Sequence, residues 1–199
     1  MLGNLWVIHN QLGEYKKASD FCQQSLGLKR RLQDRAGEAA TLDNLGNVYS
    51  GSGEYQKALD SYSRSLALGK ALQNRQSEAI TLNNIGWVYA TLGDFKQAIE
   101  YYNQSLQPLR DLGDKNYIAV ALNNIGVNYA QQKDFRKALD LHTQVLALRR
   151  DTGDKNGEAL ALNNIANCHQ NLGAKQEALD YYLQALGLLR AVGNPRQLA

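Results

Sequence analysis

The chain has 199 residues, 44% of them hydrophobic and 21% charged, with a formal net charge of +3. That is too apolar for a disordered segment, and too weakly basic for a nucleic-acid binder, which concentrates a larger excess on one face. No apolar run approaches the roughly 20 residues of a membrane span, no signal-peptide pattern opens the chain, and two distant cysteines (Cys22, Cys168) suit a reducing, cytosolic setting rather than a disulfide framework or metal site.

Offset by 40 residues, the chain comes into register with itself without a gap, and this gives five repeats at about 1–33, 34–73, 74–113, 114–153 and 154–193. Each is expected to hold two helices. The first repeat starts near the middle of its helix A, since Leu2 aligns with Leu42, and it places Trp6 where the others have Gly46, Gly86, Gly126 and Ala166. A helix pair has little room for an indole at that position, so the first helix is expected to be displaced, frayed or packed on another copy of the chain.

The second repeat sets the pattern: helix A over 35–51 and helix B over 54–72, with the others offset by forty. Asp34, Asn74, Asp114, Asp154 and Asn194 share a column of N-cap residues. Just before them stand Gln33, Gln73, Gly113, Gly153 and Gly193, where glycine can end the preceding helix in the left-handed conformation. Gly13, Gly53, Gly93, Lys133 and Gly173 mark the break inside each repeat. Pro108 falls inside helix B of the third repeat, where a kink or a missing bond is expected. After the fifth repeat, Asn194 and Pro195 begin a sixth helix A that the sequence leaves at Ala199, so the chain reads as a piece of a longer array.

Apolar columns run through all five copies: Leu2, Leu42, Leu82, Leu122 and Leu162; Leu5, Leu45, Ile85, Ile125 and Ile165; Leu26, Leu66, Leu106, Leu146 and Leu186. They place one apolar stripe on each helix. Within this frame a small residue is followed by an aromatic three later, an alanine twelve later and an aromatic four beyond that, as in Gly86, Tyr89, Ala98 and Tyr102. The pattern resembles the tetratricopeptide repeat over essentially the whole chain, in the longer form similar to kinesin light chains, Pins-type adaptors and bacterial scaffolds. The resemblance implies an all-α fold, a right-handed superhelical solenoid of antiparallel helix pairs, in which stacking buries what one hairpin cannot. It also implies a non-catalytic scaffold that binds an extended peptide or a partner protein in its concave groove.

Asn4, Asn44, Asn84, Asn124 and Asn164 form a column in mid-helix A, and Asn83, Asn123 and Asn163, with Asp43, stand beside it. Each costs roughly 0.5 kcal/mol relative to alanine in a helix. In tetratricopeptide solenoids these positions face the concave groove, and the row is similar to the asparagine ladders of kinesin light chains and of the O-GlcNAc transferase solenoid. Such amides can hold the backbone of an extended peptide of about 12 residues. Alternatively, they bond to the neighbouring helix A and fix the stacking register. Asn47, Trp87 and Asn167 lie one residue after the small column. Trp87 either anchors a partner's side chain or folds onto the next repeat.

Other chemistry finds little support. His9 and His169 stand in the Tyr49 column and His142 in the Tyr62 column, as replacements for core aromatics. Arg30, Lys70, Arg110, Arg150 and Arg190 form a basic column, expected either to complement helix C-termini and neighbouring carboxylates or to offer an edge that attracts acidic partners. No nucleophile elbow, phosphate loop or metal spacing is present, so no catalytic residue, cofactor or metal is expected. A second reading makes the segment the sensor or substrate-docking region of a larger enzyme, such as a caspase-like CHAT protease. Self-association through the ends of the array is a further expectation.

Overall fold

A computed structural model of the chain describes residues 2–193, with side chains from residue 5 onward. Among them are ten helices and no strand: α1 (Leu2–Gln11), α2 (Tyr15–Arg31), α3 (Arg35–Gly51), α4 (Tyr55–Ala71), α5 (Arg75–Thr91), α6 (Phe95–Leu112), α7 (Lys115–Gln131), α8 (Phe135–Asp151), α9 (Lys155–Asn171) and α10 (Lys175–Val192).

The short turns explain why the helices stop where they do. Gly13, Gly53, Gly93, Gly113, Gly153 and Gly173 take positive φ, and so do Gln33 (φ 55), Gln73 (φ 53) and Lys133 (φ 63). Glycine adopts this geometry freely, whereas each of the three longer residues gives up about 1–2 kcal/mol to do so. The reward is a closed pair of carbonyls: the Asp34 N–H donates to Lys29 O (3.0 Å) and the Gln33 N–H to Arg30 O (3.1 Å), with the same pairing repeated at Asn74 and Gln73. The expected N-caps form as well. The side chains of Asp34, Asn74, Asp114 and Asp154 accept from the backbone N–H of Gly37, Ser77, Tyr117 and Gly157. Asn194 lies outside the described residues. Gly193 departs from its column: it is extended (φ −73, ψ 109), and its N–H bonds to Leu189 O within the last turn of α10.

The chain divides into two units, residues 1–94 with α1 to α5 and residues 95–199 with α6 to α10. In the first unit, Leu42, Leu82, Leu45 and Ile85 are buried in the seams between helices, each contributing roughly 1.5–3 kcal/mol. Gly46 lies against the buried ring of Tyr62, where a Cβ would come within 2.4 Å of Cε1, so the column must be small where its partner is large. The first repeat reverses the sizes. Trp6 packs on the cluster of Ala18, Cys22, Leu45 and Val48, and Cys22 occupies the position that Tyr62 holds in the second repeat. The displaced or frayed first helix expected from Trp6 is therefore corrected: α1 is a regular helix and the indole fills the space that the small Cys22 leaves. Burial pushes the Cys22 thiol up to about 11, which keeps it protonated and inert.

In the second unit, Gly126 lies against the ring of His142, with a would-be Cβ 2.8 Å from Cε1. Helix α6 runs unbroken through the buried Pro108 to Leu112. The histidines take the aromatic places foreseen for them: His169 stacks on Tyr181 with centroids 5.3 Å apart and His9, in the first unit, on Phe21 at the same distance. Two members of the basic column clasp the next helix A: Arg30 Nε donates to Glu38 (2.7 Å) and Arg150 Nε to Glu158 (2.8 Å). Along α10, Leu179, Leu183, Leu186 and Leu189 remain exposed, so Leu186 departs from its otherwise largely buried column.

Candidate peptide groove

The asparagine columns are carried by the A helices, and in each unit they border a cavity. In the first unit, α3 and α5 run side by side, and between them opens a cavity of about 330 Å³ to which α3 contributes Asp43, Asn44 and Asn47 and α5 contributes Asn84. Asn83 is half-buried on the same helix, and the Trp87 indole is 48% exposed. In the second unit, a cavity of about 170 Å³ is lined by Val127, His142, Asn164, Asn167 and Cys168. Asn163 lines another, of about 360 Å³, with Leu160, Leu186 and Leu189. Asn123 and Asn124 are half-buried on α7.

Several of these amides are engaged with the protein itself. Asn164 Nδ2 donates to Asn123 Oδ1 at 3.0 Å, tying α9 to α7 one repeat away. In the first unit the equivalent tie is made by different groups: Thr81 Oγ1 on α5 lies 2.9 Å from both carboxylate oxygens of Asp43 on α3. The Tyr62 hydroxyl donates to Asn47 Oδ1 (2.7 Å), and the Tyr182 hydroxyl to Asn167 Oδ1, so a buried or half-buried tyrosine holds each of these amides from below. Burial pushes the Tyr62 hydroxyl up to about 12 and so keeps it a donor. The side-by-side bonds thus link neighbouring A helices within each unit, and other amide groups of the same columns border the cavities.

The fourth repeat differs. His142 replaces the tyrosine and Val127 the asparagine above it, so the pair is lost, and His142 Nδ1 is buried without a partner. Its pKa is driven down to about 4 by burial, which leaves the ring neutral. Asn128, which sequence reasoning passed over, is also buried; its Nδ2 donates to Asn124 O at 2.7 Å while its Oδ1 has no partner. The signal was present in its column, where Val48, Val88 and Cys168 are apolar or nearly so. Asp43 was noticed only as a stand-in for asparagine, yet burial pushes its carboxyl up to about 6 against the lowering effect of its hydrogen bonds from Thr81 and Ser65.

Among the described residues no three His, Cys, Asp or Glu side chains gather to hold a metal, and no helix is long and apolar enough to cross a membrane. Helix pairs that recur every forty residues, with a small residue in helix A facing a ring in helix B, define a helical-repeat protein. The sequence profile of the tetratricopeptide repeat matches residues 1–71, 62–111 and 114–191, and the chain belongs to that family. No curated protein matches it in sequence. Its fold is similar to that of BtubC (BKLC) from P. vanneervenii (TM-score 0.89, 22% identity, 97% of this chain and 80% of that one). It is similar also to a putative kinesin light chain of Podosopora anserina with nearly identical TPR-like repeats (TM-score 0.79, 16% identity, 97% and 95%). A third similar structure is a Rap protein complexed with competence and sporulation factor, of which the chain spans about half (TM-score 0.75, 14% identity, 92% and 52%).

Proposed function

We propose that the chain is a protein-interaction scaffold whose A helices hold an extended peptide or an extended segment of a partner protein. The observation that carries this reading is the placement of Asn44, Asn47 and Asn84 around one cavity between neighbouring A helices, with Asn164 and Asn167 around another. Amides of this kind donate to and accept from a peptide backbone without reading its side chains. The half-exposed Trp87 supplies an aromatic anchor for a partner's side chain. The complex of the similar Rap protein with competence and sporulation factor lends support by analogy of fold alone.

The triple change of Asn84, Asn124 and Asn164 to alanine tests the reading, with binders taken from a randomised library of peptides about 12 residues long. Each lost contact is worth about 0.5–1.5 kcal/mol, so affinity should fall by one to three decades in total. Because Asn164 also ties α9 to α7, Asn84→Ala alone is the cleaner variant, expected to weaken binding at an unchanged or higher melting temperature. Lower stability with unchanged affinity in the triple variant would leave the asparagines a purely structural role.

A further inference from the structure

Asp43 is the one carboxylate in a column that elsewhere holds Asn83, Asn123 and Asn163. It is half-buried, and among the described residues the groups that reach it are two hydroxyls, each with one proton to give. Thr81 Oγ1 lies 2.9 Å from Asp43 and equally 2.9 Å from Ser77 O; Ser65 Oγ is likewise 2.9 Å from Ala39 O. Both protons are therefore contested by backbone carbonyls, and the carboxylate is under-satisfied.

Among the described residues it has no ion pair. Several cations on α3 and the elements packed around it are turned to other partners: Lys17 to Glu14, Lys29 to Asp34 and Arg30 to Glu38 from α2, Lys57 to Glu54 and Arg64 to Asp60 on α4, and Arg75 to Glu78 on α5, while Lys16, Arg31 and Arg35 are exposed and do not line the cavity. Lys70, exposed in the last turn of α4, does not line the cavity. The remaining titratable group near Asp43 is the Tyr62 hydroxyl, which is neutral. A carboxylate withdrawn this far from water without a cation is an expensive arrangement, and here it stands in the wall of the 330 Å³ cavity. The other walls suit a basic side chain, with Ala36, Ala40 and Ile80 forming an apolar surface and Asn44 and Asn84 polar ones. Lysine and arginine are amphipathic in the same way, an aliphatic stem ending in a cation.

We propose that this cavity is a specificity subsite for a lysine or arginine side chain of the bound peptide, with Asp43 as its counter-ion. The subsite rests on the peptide-groove reading above and adds a sequence preference to backbone capture. Pairing requires the ionised carboxylate. With the carboxyl titrating at about 6, that form falls roughly tenfold between pH 7 and pH 5, and the affinity for a basic side chain falls with it.

The test uses acetyl-lysine N-methylamide as probe, with the norleucine analogue as its uncharged match, titrated onto the full chain and followed by the NMR signals of the Asp43 carboxyl carbon and the α3 and α5 amides. The lysine probe should bind saturably at pH 7, at least about fivefold more weakly at pH 5, and not measurably to Asp43→Asn. That variant should fold, because asparagine is the resident of the same column in three other repeats. Equal shifts with norleucine, or binding unchanged in Asp43→Asn, overturn the proposal. Panning the randomised peptide library separates the two readings. Enriched peptides without a basic preference refute the subsite and leave the groove; no enriched peptide refutes the groove, and the lysine titration then decides the subsite by itself.

Discussion

The second and fourth repeats use the same helix positions to opposite electrostatic ends. In the second, a glycine faces a tyrosine whose hydroxyl is capped by Asn47, and a carboxylate at position 43 ties α3 to α5. In the fourth, a glycine faces a neutral histidine with an orphaned Nδ1, a second orphan sits on Asn128, and the tie from Asn123 to α9 is made by amides alone. One repeat holds a charge that is poorly satisfied; the other holds neutral groups that are poorly satisfied. The lesson is that these two repeats keep the same small-against-ring packing, while the polar chemistry placed on it differs between them and sets what each does when conditions change.

The harshest way to break the comparison is to fill the glycines. Gly46→Ala drives a methyl to 2.4 Å from a buried, hydrogen-bonded ring and should cost about 3 kcal/mol in a urea melt. Gly126→Ala meets His142 at 2.8 Å and should cost about half as much. Equal losses would show that the two ring positions are packed alike.

Acid should next move the two units in opposite directions. His142 has its pKa depressed in the folded state, to about 4, so between the unfolded value of 6.5 and pH 4 the unfolded chain binds more protons and the second unit loses stability as pH falls. Asp43 has its pKa raised, to about 6 from 3.8, so over that window the folded chain binds more protons and the first unit gains. At 1.36 kcal/mol per pKa unit, each change should reach roughly 1–2 kcal/mol between pH 7 and pH 5. Protection factors from hydrogen exchange, read helix by helix, should rise in α3 to α5 and fall in α7 to α9; movement in the same direction would remove one of the two groups from the explanation.

Grafting the second repeat's pair onto the fourth sharpens the contrast further. His142→Tyr with Val127→Asn replaces an orphan by a hydroxyl-to-amide bond and should add about 1–2 kcal/mol while abolishing much of the acid loss in the second unit. The smallest effect belongs to the amide tie. A double-mutant cycle on Asn123 and Asn164, each changed to alanine, should give a coupling of about 1 kcal/mol in thermal melts; additive losses would show that the bond at 3.0 Å carries nothing.

Much of this architecture was legible in the residues because repetition multiplies weak local signals. One capping residue before an apolar run is a poor predictor of a helix start, but aspartate or asparagine at 34, 74, 114 and 154 left little room for another reading, and all four cap as expected. What escaped were relations between columns. Trp6 looked excessive while its own column was read alone; read together with Cys22 in the facing column, it is a size exchange. The turns at Gln33, Gln73 and Lys133 were located by their columns, but their left-handed backbone was not foreseen, because no side chain there favours that geometry; closure of the turn imposes it. The cavity at Asp43 could not be seen at all, since Ser65 and Thr81 meet it only once three helices are packed.

The turns that begin at Gln33 and Gln73 have a bearing on how such a chain can grow. Both residues adopt the same left-handed geometry within 2° of φ, and both hand over to a capping side chain, Asp34 or Asn74. Removing residues 34–73 would join Gln33 to Asn74, a junction of the same kind as the two it replaces, with the same carbonyls waiting to be closed. A gene encoding such joints can gain or lose a forty-residue segment by unequal recombination without redesigning a single turn. The array can then lengthen or shorten by whole repeats, while each repeat keeps its own polar character.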